Sequence, residues 1–151
     1  MHVLFIEYDA GDVRLAREAF SSSPQPLALH VVSDDTEAMA FLRKKDGYRR
    51  APTPDLILLD LNVPKTNGRQ LLADIKNDSA LTAIPMITLT ASDNLEDIRY
   101  CCQNRVSSYA IKPGDADAFN RLAKVVTSFW FTLSSFPGLA ANARALIFDG
   151  P

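Results

Sequence analysis

The stretch Asp55-Leu56-Ile57-Leu58-Leu59-Asp60, DLILLD, holds four consecutive large apolar residues and stops on a carboxylate. A strand with one wet face would alternate apolar and polar residues, and an amphipathic helix would break the run every second or third position. Unbroken hydrophobicity over so short a stretch fits a strand covered on both faces, as in a parallel sheet. Asp60 then stands where the chain leaves the core, a carboxylate with hydrophobic packing behind it.

The same texture recurs on either side. VLFI (3–6), LHVV (29–32), MITLT (86–90) and YAI (109–111) read as four more strands around LILL (56–59). Between them, apolar residues recur at helical spacing: Val13/Ala16/Phe20, Ala38/Phe41/Leu42, Leu71/Leu72/Ile75 and Leu95/Ile98/Cys102. Phe119, Leu122, Val126, Phe129 and Leu133 extend the pattern into a fifth, longer helix. Asp34 with Glu37, Asn67 with Gln70, and Asp93 with Glu96 each place a capping acceptor three residues before Glu or Gln, the signature of a helix start. Five βα units with no internal repeat predict a doubly wound α/β sandwich. Its usual strand order at this size is 2-1-3-4-5, with the ligand site beyond the carboxyl ends of strands one and three. That order sets Glu7 beside Asp60.

Composition narrows the function classes. A chain of 151 residues, 47% hydrophobic, suits one domain. Its formal charge of -2 and lack of a basic block argue against direct nucleic-acid binding. No apolar run approaches the roughly 20 residues that cross a bilayer, and the N-terminus lacks a secretory pattern. A cytoplasmic protein is expected, with no membrane partner. Cys101 and Cys102 are adjacent and form no disulfide framework; one buried thiol and one at the helix surface is the expectation.

Three strand ends carry chemistry. A carboxylate such as Asp60 can attack phosphorus and form an acyl phosphate when nearby cations neutralise the phosphoryl oxygens. Lys112, after the fifth strand, supplies a point charge suited to those oxygens. Thr90, at the end of the fourth, supplies a hydroxyl that can bond one of them.

With these residues in place, the sequence resembles the receiver domains of two-component response regulators. The matching pieces are Glu7 after the first strand, DLNVPKTNG (60–68), Thr90-Ala91, and SYAIKP (108–113). The resemblance implies a flavodoxin-like receiver fold over residues 1–131. It implies that Asp60 accepts a phosphoryl group from a sensor histidine kinase, that Thr90 and Lys112 bind that group, and that Thr90 and Tyr109 form the switch. Mg²⁺ would be held by Glu7, Asp60 and the Asn62 carbonyl, and the Lys112–Pro113 bond would be cis. GDVRLAREAF in the first helix, PDLILLDLNVP around Asp60, and Phe129-Trp130 near the end of the last helix are similar to the single-domain regulators paired with bacterial phytochromes. That resemblance implies a bacteriophytochrome as the kinase and a short C-terminal extension, residues 132–151. The extension is apolar at Leu133, Phe136, Leu139, Leu146, Ile147 and Phe148, so something must cover it. It either folds back on its own domain or, as the Pro137-Gly138 hinge favours, forms an arm that crosses to a second copy and makes a homodimer.

Two enzyme-like or carrier readings fit less well. Asp-nucleophile phosphatases of the haloacid dehalogenase type have a second Asp two residues after the nucleophile; Asn62 stands there. A flavodoxin-type cofactor carrier needs a phosphate-cradling loop after the first strand, and Glu7-Tyr8-Asp9-Ala10-Gly11-Asp12 would repel phosphate. No enzyme is expected. A binding or dimerisation module with little phosphotransfer competes more closely, because Tyr8 occupies the place of the second acid that binds Mg²⁺ directly in ordinary receivers. Asp9 is the candidate substitute, one residue further along. The expectation is a working receiver with weakened Mg²⁺ binding.

Overall fold

Each apolar run forms a strand. The computed structural model describes residues 1–61, 68–90, 95–104, 106 and 108–135, the side chains of 129–135 excepted. The elements are β1 His2–Ile6, α1 Ala10–Ser21, β2 Ala28–Val32, α2 Asp35–Arg43, β3 Leu56–Asp60, α3 Gly68–Asn77, β4 Met86–Thr90, α4 Leu95–Gln103, β5 Ser108–Ile111 and α5 Ala116–Ser135. All neighbouring strands pair in parallel, in the order β2-β1-β3-β4-β5. This is the expected fold.

Both faces of the sheet are covered, and β3 shows why its run is unbroken. Successive side chains point to opposite faces. Ile57 and Leu59 join Leu4, Ile6 and Met86 against α2, α3 and α4. Leu56 and Leu58 join Val3, Phe5, Ile87 and Leu89 against α1 and α5. With two cores to feed, neither set of positions can be polar. The chain winds one way from β1 to β2 and the other way from β3 onward. The crevice therefore opens at the carboxyl ends of β1 and β3.

The helix starts follow local chemistry. Glu37 donates its backbone N–H to Asp34 Oδ1 at 2.7 Å, and Glu37 Oε2 accepts from the Ser33 N–H at 3.2 Å, a reciprocal cap with its return bond one residue early. α1 is capped by Asp9, whose Oδ1 accepts from the Asp12 N–H at 2.9 Å. The caps expected at Asn67 and Asp93 lie outside the described residues. Gly68, the first residue of α3, has no room for a side chain, because a Cβ there would come within 2.8 Å of the Leu61 carbonyl oxygen.

One expectation needs correction. α4 does not turn Leu95 and Cys102 inward. Leu95 is 67% exposed and Cys102 is exposed, while Asp97 and Cys101 are buried. The turn of the helix is set by polar contacts: Thr88 Oγ1 lies 3.0 Å from Cys101 Sγ, and Thr90 Oγ1 lies 3.2 Å from Asp97 Oδ2. α5 runs on to Ser135. Residues 136–151 and the side chains of Phe129, Trp130, Phe131 and Leu133 are outside the described set. Among the described residues, no helix is long and apolar enough to cross a membrane.

Candidate functional site

Three of the strand ends meet around one ammonium. Lys112 Nζ lies 2.6 Å from Asp60 Oδ2, 2.9 Å from Asp12 Oδ2 and 3.2 Å from Glu7 Oε2. β5 delivers Lys112, whose backbone N–H still pairs with the Thr90 carbonyl at 2.9 Å. β3 delivers Asp60 and β1 delivers Glu7, each only 1% exposed. Glu7 is fixed at both ends: its N–H donates to the Val32 carbonyl at 3.0 Å and its Oε1 accepts from the Asp9 N–H at 3.0 Å.

Buried carboxylates this close perturb each other. Glu7 is pushed up to about 7, by burial first and then by the neighbouring Asp60 carboxyl, against the pull of the Asp9 N–H and Lys112. Burial alone would lower Lys112, but its hydrogen bonds to Asp60 and Asp12 more than reverse that, so its net shift is upward. The lysine stays charged, and Glu7 is the acid beside it that holds its proton more tightly than usual.

Asp12 is the residue that sequence reading missed. Its only signal was a third acid in Glu7-Tyr8-Asp9-Ala10-Gly11-Asp12. Whether that acid reaches the site depends on how the first turn of α1 leaves β1. Asp9, the candidate substitute ligand, is committed to capping α1. Tyr8 is 46% exposed. The Lys112–Pro113 bond is trans, not cis, since none of the described peptide bonds is cis. Lys112 continues the β5–β4 pairing up to the proline, and trans is the ordinary state of an X–Pro bond.

Thr90 lies at the end of β4, 1% exposed, with its hydroxyl donating to Asp97 Oδ2. Asp97 in turn accepts from Arg69 Nε at 2.9 Å and Nη2 at 2.7 Å, both on Oδ1. Tyr109 is half-buried against the core on the α2–α4 side. Asn62 lies outside the described residues.

The donor set suits a hard cation in chemistry, being oxygen throughout. Glu7 Oε2 is moreover a buried oxygen that makes no hydrogen bond of good geometry among the described residues. Those residues hold no open group of three metal-ligating side chains, because the ammonium of Lys112 stands between the carboxylates.

A buried aspartate closes β3, the lysine that follows β5 is bonded to it, and a buried threonine ends the neighbouring β4. The family model for the response regulator receiver domain matches residues 3–124. The chain belongs to that family. Among curated relatives, this receiver is 35% identical over 135 residues to the response regulator Rcp1 of Synechocystis sp., covering 89% of this chain and 92% of the relative. The structure of the phosphorylated cyanobacterial phytochrome response regulator RcpA superposes with a TM-score of 0.79 at 38% identity, over 86% of this chain and 93% of that one. The Mn²⁺-bound form of Rcp1 superposes with a TM-score of 0.77 at 36% identity, over 85% of this chain and 93% of that one. The receiver is thus similar along nearly its whole length to regulators of phytochrome signalling.

Proposed function

We infer that the protein is a single-domain response regulator whose Asp60 accepts a phosphoryl group from the phosphohistidine of a sensor kinase. The observation that carries this reading is the buried Asp60 carboxylate with Lys112 Nζ at 2.6 Å, at the carboxyl end of the sheet. In the step, an Asp60 oxygen attacks phosphorus. The bond from phosphorus to the histidine nitrogen breaks with its electron pair going to nitrogen, and an acyl phosphate forms. Lys112 neutralises the transferred oxygens, and the Thr90 hydroxyl bonds one of them. Mg²⁺, where bound, adds charge neutralisation there; Glu7, Asp60 and the Asn62 carbonyl would hold it, weakly for want of an acid at Tyr8. The likeness to RcpA and Rcp1 supports a bacteriophytochrome as the kinase.

Incubation with acetyl phosphate or a cognate kinase should give hydroxylamine-sensitive label that is lost in Asp60→Asn. Undiminished label in that variant would defeat the reading. Under the same reading the receiver occupies residues 1–131 and the apolar segment 132–151 joins two copies into a homodimer. Truncation after Leu133 should then yield a monomer or an aggregating species by light scattering, and a full-length protein that is monomeric at tens of micromolar would refute the arm.

A further inference from the structure

The carboxylate of Asp97 divides its two oxygens between two elements. Oδ1 takes both hydrogen bonds from Arg69, at 2.9 and 2.7 Å, and Oδ2 takes the Thr90 hydroxyl at 3.2 Å. Asp97 is 3% exposed, and Thr90 is 1% exposed. Arg69 lies in the first turn of α3. It is held in turn by Tyr100 of α4, whose hydroxyl donates to the Arg69 carbonyl at 2.8 Å and whose ring lies 5.5 Å beneath the guanidinium. An acid near the start of α4 would be favourable for the helix alone. That role explains neither its burial nor the rotation of α4 that turns Leu95 outward in its place.

A hydroxyl has one proton to donate. While Thr90 gives it to Asp97, it cannot give it to a phosphoryl oxygen on Asp60. We propose that Asp97 is a positioning residue for phosphoryl transfer: it holds the Thr90 hydroxyl in the unphosphorylated state and sets the cost of releasing it to the phosphorylated Asp60, while Arg69 keeps the buried carboxylate neutralised after release. The proposal rests on the phosphoacceptor reading of Asp60. It adds a residue of α4 that touches neither Asp60 nor the phosphoryl group yet tunes the response, and it couples α3 and α4 to occupancy of the site.

The test uses beryllofluoride with Mg²⁺ as an analogue of the phosphoryl group, titrated into the full chain and followed by the fluorine NMR signal of the bound analogue. Asp97→Asn preserves size and can turn its amide nitrogen toward Thr90, making the hydroxyl an acceptor and freeing its proton. Affinity should rise by about 3- to 10-fold, the scale of one net hydrogen bond. In a Thr90→Val background the same substitution should leave affinity unchanged, because nothing remains for Asp97 to hold. Unchanged or weaker binding in Asp97→Asn, or an equal rise in the Thr90→Val background, would overturn the proposal. Failure of the unsubstituted chain to bind beryllofluoride at all would overturn the phosphoacceptor reading and the proposal with it.

Discussion

Two groups of buried carboxylates lie at neighbouring strand ends and are neutralised in opposite ways. Around Lys112, one ammonium faces Glu7, Asp12 and Asp60 at 3.2, 2.9 and 2.6 Å. Around Asp97, one guanidinium places two nitrogens on a single oxygen, with Glu96 farther off at 3.9 Å. The first group carries more anion than cation, and Glu7 within it is pushed up to about 7, by burial first and by Asp60 second. The second sets one guanidinium against one buried carboxylate, with both nitrogens on the same oxygen. Surplus negative charge leaves a site ready for a further cation; a matched pair holds elements in place. Under the proposed function, the difference separates the groups that do the chemistry from the groups that position them.

The widest break in this comparison should come from removing each cation. Arg69→Met takes two charge-assisted hydrogen bonds from the buried Asp97. Lys112→Met removes a cation from beside Glu7, whose pKa is already raised to about 7, so that Glu7 can take up a proton. Arg69→Met should therefore lower the urea midpoint at pH 7 further than Lys112→Met does. The reverse order would show that the lysine cluster is the structural one.

Much of this was legible in advance, and the failures have a pattern. The unbroken DLILLD run implied two covered faces, and its alternation between the two cores is what β3 shows. Asp60 and Lys112 could be brought together from topology alone, because both stand at strand ends and strand order fixes their neighbours. Asp12 and Asp97 could not. Each sits in the first part of a helix, and which way it points depends on how that helix is rotated on the sheet. For α4 the apolar pattern even indicated another face, since hydrophobic periodicity assumes that apolar residues face inward and has no means to anticipate a carboxylate drawn in by Arg69 and Thr90. The cis bond at Pro113 came only from resemblance, and the local pairing of Lys112 does not require it.

A second prediction sharpens the charge imbalance through pH. Glu7 holds its proton more tightly when folded, with a pKa of about 7 against 4.5 when unfolded. Its contribution to stability is then complete below about pH 4.5 and is lost as pH rises through about 7. Lys112, raised, contributes stability that persists until the pH passes its ordinary value of 10.5, so it is constant across this window. His30, lowered by burial and by His2, has the opposite sign, because its proton is held better in the unfolded chain. Comparison with Glu7→Gln isolates the acid. In metal-free buffer the parent should lose about 1–2 kcal/mol relative to Glu7→Gln between pH 4.5 and 7, allowing for water that reaches the pocket. Parallel stability curves for the two proteins would mean that Glu7 does not carry the excess charge.

The smallest expected effect concerns the cation that the acid-rich pocket would admit. Mg²⁺ binds through a few carboxylates, waters and phosphate oxygens, and here it must compete with Lys112 for Glu7, Asp12 and Asp60. Tyr8 adds no carboxylate, and Asp9 spends its own on the Asp12 N–H. Tyr8→Asp should raise Mg²⁺ affinity at least about 10-fold in a calorimetric titration, the lower end of what a supporting group near a metal is worth. Asp9→Ser keeps a capping oxygen for α1 and should leave that affinity where it was. Asp12→Asn should weaken it if the third carboxylate has taken over part of the missing acid's work. A parent that binds Mg²⁺ as well as Tyr8→Asp, and loses that binding in Asp9→Ser, would show that the cap of α1 opens to serve the metal, and the division between site and scaffold would fail at Asp9.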